Sequence, residues 1–313
     1  MSEEQFQSPW NFLGMPDDLA SPERAKAWVL PIPYEATTSY GANTRSGPAA
    51  IIAASRQVEL FDTEFGNEPA MEYGVHTMSP MNLVHRGPEQ MVEAIADVVE
   101  SIYKGKTRAG GATYPATAKP EVLVPLGGEH TISPGIARGL ARVLPKDQLV
   151  CVQIDAHADL RDEYEGSPFS HACAARRILD VCPVFQIGIR NISAGEEPFR
   201  KQCSHVHTVF SEEATAADGA FLKDLAAFVR GKQVFFTIDL DGLDPSIMPA
   251  VGTPEPGGIS WQRTLEICRV IAKEAAHVPV CDVVELAPIP GLIAPDFLTA
   301  KLIYKILSYV LLK

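Results

Sequence analysis

Residues 151–159 read Cys-Val-Gln-Ile-Asp-Ala-His-Ala-Asp, an apolar run that ends in carboxylate, imidazole and carboxylate at every second position. In an extended backbone, residues i, i+2 and i+4 point to one side, so Asp155, His157 and Asp159 are expected to converge on one point in space. A metal ion is the expected occupant of that point. The β-branched apolar run before them suits a strand buried on both faces of a parallel sheet. The triplet then sits at the strand's C-terminal end, where open α/β sheets bind their ligands. Taken alone, a polar loop that happens to follow a strand would read the same way, so the surrounding chain has to decide.

Two further stretches repeat the pattern. The apolar run Gln233–Ile238 ends at Asp239 and Asp241, again two residues apart, so both carboxylates face one way. Strand Val122–Leu126 leads into Gly127, Gly128, Glu129 and His130, and the two glycines let the backbone bend sharply there. Together these supply two imidazoles and four carboxylates on the C-terminal side of apolar strands, enough for two divalent ions if two carboxylates bridge. Oxygen ligands mixed with imidazole suit Mn²⁺, whereas a structural Zn²⁺ site favours thiolates. None of the six cysteines falls in these clusters.

Around them strands and helices alternate. Strands are expected at 27–32, 122–126, 149–154, 184–189, 206–210, 233–238 and 278–284. Helices are expected at 48–60, 88–103, near Glu196, at 212–230, 260–276 and from Pro295 onward. Pro48 and Pro88 suit first helical positions, and Met91, Ile95, Val98, Val99 and Ile102 form one apolar side. Residues 61–87 show no clear period, and 105–120 read as an exposed connection. Alternation of this kind implies a mostly parallel sheet with helices on both faces. No internal repeat or domain boundary appears, so residues 25–313 read as one catalytic domain preceded by an acidic, Pro/Ser-rich arm, 1–24, with Phe6, Trp10 and Phe12 as isolated apolar groups.

The chain has 313 residues, 46% hydrophobic and 21% charged, with a formal charge of −12. That acidic excess argues against nucleic acid or an anionic membrane as a partner and permits a cationic substrate. The N-terminus lacks the pattern of a leader, no apolar run is long enough to span a bilayer, and the cysteines form no regular framework. A cytoplasmic protein with reduced thiols is expected.

The segments GGEHTISPG, DAHADLRD, SHACAARR, DLDGLDPSIMPAVGTPEPGG and DVVEL resemble, in order and spacing, the signatures of the ureohydrolases, the arginase and agmatinase family, and are nearest to its bacterial and archaeal agmatinase branch. The likeness runs from about Leu30 to the end of the chain. It implies a three-layer α/β/α fold around an eight-stranded sheet and two Mn²⁺ per chain. One ion would be held by His130, Asp155, Asp159 and Asp239, the other by Asp155, His157, Asp239 and Asp241. His171 matches the family's proton-shuttle histidine, and Glu285 the glutamate that holds the guanidinium group, while Asp159 would also accept a hydrogen bond from the nucleophile. A homotrimer or homohexamer is implied as well.

The reaction so implied is hydrolysis of a small cationic guanidino compound to urea and an amine. The arginase pattern for gripping an α-amino acid, Ser-Gly-Asn-x-His-Gly, is absent. Leu160–Ala172 here reads LRDEYEGSPFSHA, and Asn191 stands where arginases place an amine-binding aspartate. Asp162, Glu163 and Glu165 make that loop acidic, which disfavours a substrate carboxylate. Agmatine, giving putrescine and urea, is therefore the expected substrate. Guanidinobutyrate and arginine are alternatives, as are a non-catalytic family member acting as a binding partner and a fold-related deacetylase with a single Zn²⁺.

Overall fold

The computed structural model describes residues 10–312. Among them ten strands form: β1 (Ala27–Ile32), β2 (Val75–Thr77), β3 (Arg108–Ala109), β4 (Ala112–Thr113), β5 (Val122–Gly127), β6 (Leu149–Ile154), β7 (Val184–Ile189), β8 (Val206–Phe210), β9 (Gln233–Asp239) and β10 (His277–Val284). Eight make one sheet in the order β2-β1-β5-β10-β9-β6-β7-β8, and every pairing in it is parallel. Strands β3 and β4 form a separate small antiparallel hairpin. The expected three-layer α/β/α architecture is the observed one.

The layers follow from side-chain alternation. Along β6, Val150, Val152 and Ile154 enter the core with Ile267 and Ile303 of helices Trp261–Glu274 and Ala294–Leu311. Leu149 and Cys151 enter the opposite core with Ile95 and Ile136 of helices Pro88–Tyr103 and Ser133–Ala141. β5 and β9 divide in the same way. Each buried side chain of Val, Leu or Ile size contributes about 1.5–3 kcal/mol of transfer free energy, so the sheet's rigidity comes from its two apolar faces. Helix Pro88–Tyr103 shows the matching pattern: Met91, Ile95, Val99 and Ile102 are buried. On its outer side Glu93, Asp97 and Glu100 gather around Arg142.

Several elements differ from the sequence expectation for local reasons. Strand β2 lies within the 61–87 region and has three residues, too few for a period to show. The long helix expected over 212–230 is two helices, Ser211–Thr215 and Leu222–Val229. The first ends where Ala216 turns to ψ 136, and Gly219, at φ +58, carries the turn before the second. In the N-terminal segment Phe12 and Met15 are buried in the main core, whereas Trp10 is exposed with the Arg56 guanidinium 4.7 Å from its ring centre. Phe6 lies outside the described residues. No helix among those described is long and apolar enough to cross a membrane.

Register sets the height of the site. Ile154 pairs with Ile238, and Val284 pairs with Asp239, so Asp155, Asp239 and Glu285 emerge at the same edge of the sheet. Strands β5 and β6 are consecutive in this sheet's chain order, yet β10 and β9 lie between them. The loops leaving the C-terminal ends of these four central strands therefore enclose a crevice.

Candidate active site

Every ligand candidate read from the sequence arrives in one nest, buried except for the half-buried His157. His130 Nδ1 lies 3.2 Å from Asp155 Oδ2, 3.2 Å from Asp239 Oδ2 and 3.3 Å from Asp159 Oδ2. His157 Nδ1 lies 2.9 Å from Asp241 Oδ2 and 3.7 Å from Asp155 Oδ1. Asp155 thus offers one oxygen to each imidazole. The arrangement contains two overlapping groups that could hold an ion, His130 with Asp155 and Asp159, and Asp155 with His157 and Asp241.

The nest fits a pair of cations. His130 Nδ1 is buried and makes no hydrogen bond of acceptable geometry, although three carboxylate oxygens surround it. A nitrogen so placed points its lone pair or proton at a gap shared by anions. Burial and then Asp155 push the Asp159 carboxyl up to about 6. Burial followed by the Asp241 and Asp155 charges raises Asp239 well above the carboxylate range. For His157, burial is the largest influence and opposes the charged form, but the hydrogen bond to Asp241 together with the Asp241, Asp155 and Asp159 charges outweighs it and lifts the imidazole to about 10. Buried anions of this density are costly unless cations neutralise them.

Neighbouring groups hold the ligands in place. Gln153 donates from Nε2 to Asp155 Oδ2 at 2.7 Å, Gln186 donates to Gln153 Oε1 at 2.9 Å, and Thr208 donates to Gln186 Oε1 at 3.1 Å, a chain of contacts across β6, β7 and β8. His130 Nε2 meets Thr237 Oγ1 at 3.0 Å, and Ser133 Oγ donates to the buried Asp282 at 2.6 Å beside it. Such outer contacts fix ring orientation and tautomer. Arg190 donates to the carbonyls of Asp241 (2.6 Å), Glu255 (2.7 Å) and Pro256 (3.0 Å), anchoring the long turn after Asp241. Gly242 in that turn is required by packing: a Cβ there would lie 2.7 Å from the Asp155 nitrogen. Asp159 and Glu285 adopt φ +50 and +68, a left-handed conformation that costs non-glycine residues energy and is concentrated at functional sites.

The nest opens into a cleft of about 240 Å³ whose walls include Glu285, His171, Tyr164, Arg161, Glu196 and Asn191. Glu285 Oε1 accepts the His130 backbone N–H at 2.7 Å. Burial and the nearby Glu129 charge raise the Glu285 carboxyl well above its usual range. Tyr164 stands edge-on to the His171 ring, with centres 5.9 Å apart.

The acidic-loop reading of the sequence needs correction. Asp162 is turned to Arg177 at 2.7 Å and Arg176 at 3.6 Å, and it is Arg161 and Tyr164, not Asp162, Glu163 or Glu165, that line the cleft. Glu196 is a further carboxylate in that wall. It accepts the N–H groups of Leu160 and Ser193, both at 2.8 Å, with Arg161 Nε 3.8 Å away. Asn191 binds Glu255 Oε1 at 2.7 Å. Glu196 carries no motif, and only the fold brings it to the cleft.

A family model described as the arginase family matches residues 25–311. Fold and match agree on the class: the chain belongs to the arginase family. Within it, the relatives point to the ureohydrolases of agmatinase type. The chain is 37% identical to the N(1)-aminopropylagmatine ureohydrolase of Synechocystis, covering 90% of this chain and 88% of that one. It is 31% identical to the agmatinase of Halalkalibacterium halodurans, covering 85% of each. The structure superposes on the agmatine ureohydrolase of Thermoplasma volcanium with a TM-score of 0.81 at 26% identity, over 98% of this chain and 96% of the other. The protein is accordingly an amidinohydrolase, which sets aside the non-catalytic reading.

Proposed function

We propose that the protein holds two Mn²⁺ and hydrolyses the guanidino group of a carboxylate-free cationic amine, N(1)-aminopropylagmatine or agmatine, to urea and a polyamine. The observation that carries the substrate class is the company of relatives: those at 37% and 32% identity are N(1)-aminopropylagmatine ureohydrolases, and agmatinases follow at 31%. Removing the amidino group from these substrates leaves spermidine or putrescine. The cell's cytoplasm, where polyamines and reduced thiols coexist, suits the six free cysteines.

His130, Asp155, Asp159 and Asp239 would hold one ion, and Asp155, His157, Asp239 and Asp241 the other. When bound, such a pair lowers the pKa of a water so that it can attack at neutral pH. The remaining steps belong to the protein. Glu285, buried with one oxygen on the His130 amide, would take the substrate cation by its second oxygen and so fix the guanidinium carbon over the nest. Asp159 would orient the attacking water by accepting a hydrogen bond from it. As the C–N bond breaks, His171 would deliver a proton to the departing amine.

A urea-release panel of N(1)-aminopropylagmatine, agmatine, arginine and guanidinobutyrate, ranked by kcat/KM, tests this. The two amines without a carboxylate are expected to lead. Arg161 in the cleft wall favours a second reading, a guanidino acid whose carboxylate pairs with that guanidinium, and guanidinobutyrate leading the panel would establish it. Assembly as a homotrimer or homohexamer forms part of the proposal.

A further inference from the structure

Glu129, between Gly128 and His130, is wholly buried, and the reaction as described does not use it. Three donors converge on its carboxylate: the backbone N–H groups of Ala36 (2.8 Å) and Thr37 (2.7 Å) on Oε2, and the Thr37 hydroxyl (2.8 Å) on Oε1. A glutamate on the loop after β5 thereby pins the loop after β1. Gly128 makes the approach possible, since a Cβ there would lie 1.9 Å from the Tyr34 carbonyl oxygen.

The Thr37 hydroxyl has one proton, and Glu129 takes it. Its oxygen then acts only as an acceptor toward its other neighbours. The His171 backbone N–H donates to it at 3.0 Å, Thr131 Oγ1 lies at 3.3 Å, and His171 Nδ1 lies at 3.1 Å. A contact between Nδ1 and an oxygen without a free proton requires Nδ1 to carry the hydrogen. Ser170 Oγ, 3.3 Å from Nδ1, is the ring's other polar neighbour. Nε2 has no hydrogen-bond partner among the described residues and remains for the cleft that His171 lines.

We propose that Glu129 and Thr37 are positioning residues: through one hydroxyl they hold His171 as the Nδ1–H form and present Nε2 to the substrate. The logic is that of a carboxylate fixing a catalytic imidazole's tautomer, with a threonine hydroxyl placed between. It rests on the reading of His171 as the proton donor. In that step the C–N bond breaks, its electron pair stays on the amine nitrogen, and the proton passes from Nε2 to that nitrogen. The ring is left neutral with Nδ1 still protonated, and it recovers its Nε2 proton from water.

The test uses the Mn²⁺-loaded enzyme with Thr37→Val, which keeps shape and loses the hydroxyl, Thr37→Ser, which restores it, and Glu129→Gln. Thr37→Val is expected to lower kcat roughly 10²-fold with KM nearly unchanged and full metal content, and Thr37→Ser to recover most of the loss. Deuterium exchange at the His171 ring C2–H, followed by mass spectrometry across pH, reads the same ring whether or not urea is released. Its midpoint should move to lower pH in Thr37→Val and Glu129→Gln and return in Thr37→Ser. The other titratable groups facing this ring, Tyr164 at its edge and His130, Asp159, Arg161 and Glu285 in the same cleft, are unchanged in these variants. A Thr37→Val enzyme with wild-type kcat and an unmoved exchange midpoint, or a Thr37→Ser enzyme as impaired as Thr37→Val, would overturn the assignment. Absence of urea release by the wild type with the midpoint shift intact would reject the substrate reading alone.

Discussion

At the scale of single residues, Asp155 is the hinge of the site because its two oxygens serve both imidazoles. Asp155→Ala is therefore expected to remove both ions from high-affinity binding, not one. Metal analysis after gel filtration should fall from two Mn²⁺ per chain toward none. The rise in melting temperature on adding Mn²⁺, which measures binding to the folded state, should vanish with it. A variant that retains one tightly held ion would show the two groups to be independent. His171→Ala, by contrast, should keep both ions and lose about 10²- to 10⁴-fold in kcat. The convergence of Asp155, His157, Asp239 and Asp241 was legible because residues two apart at the end of an extended strand point to one side, while their assignment to two ions, with His130 and Asp159, came from the family resemblance. Glu129, Thr37 and Glu196 were not legible, because their roles come from loops 92 and 36 residues apart in the chain meeting in space.

At the scale of elements, the closing helix Ala294–Leu311 is fastened to the irregular segment after residue 60 by charge as well as by apolar packing. Lys305 Nζ, nearly buried, lies 3.0 Å from both Asp62 oxygens and 2.7 Å from Glu64 Oε2. Arg269 of the neighbouring helix donates to Glu64 at 2.8 and 3.1 Å, and the Tyr309 hydroxyl donates at 2.6 Å. Lys305→Met leaves Asp62 buried without its cation and should cost about 3–5 kcal/mol in denaturant unfolding. Adding Asp62→Asn should restore much of that, and a single variant as stable as wild type would contradict the role. Glu64 adds a pH dependence. Hydrogen bonding from Arg269 first, then Lys305 and Tyr309, holds its carboxyl at about 2 against the ordinary 4.5. A depressed folded-state value means stability present above 4.5 and lost as the pH falls toward 2, so Glu64→Gln should flatten that limb of the stability curve. This fastening escaped the sequence because 61–87 has no period. The long strands were legible because β-branched runs between turns have few alternatives.

At the scale of the whole molecule, the distribution of apolar surface bears on assembly. Ile289, Leu292, Ile293 and Phe297 are all exposed within nine residues, Ile293 at 78%. Ile289, Leu292 and Ile293 lie in the turn that leads into the closing helix and Phe297 in the helix's first turn, and the loop carrying Asn43 is tied to that turn through the Pro288 carbonyl at 3.0 Å. Among the described residues these side chains are left in solvent. Contiguous exposed apolar groups of this kind mark contact surfaces, and closed homo-oligomers bury the same patch in every copy. In the N-terminal segment, by contrast, Phe12 and Met15 are spent on the chain's own core, while Trp10 stays exposed with the Arg56 guanidinium over its ring. Ile293→Asp combined with Phe297→Asp should therefore lower the sedimentation coefficient from that of the proposed trimer or hexamer toward that of a single chain, while leaving the circular dichroism spectrum unchanged. Removal of residues 1–10 should leave the assembly intact. If the doubly charged variant sediments as wild type and the truncated one dissociates, the contact belongs to the arm and not to the 289–297 turn.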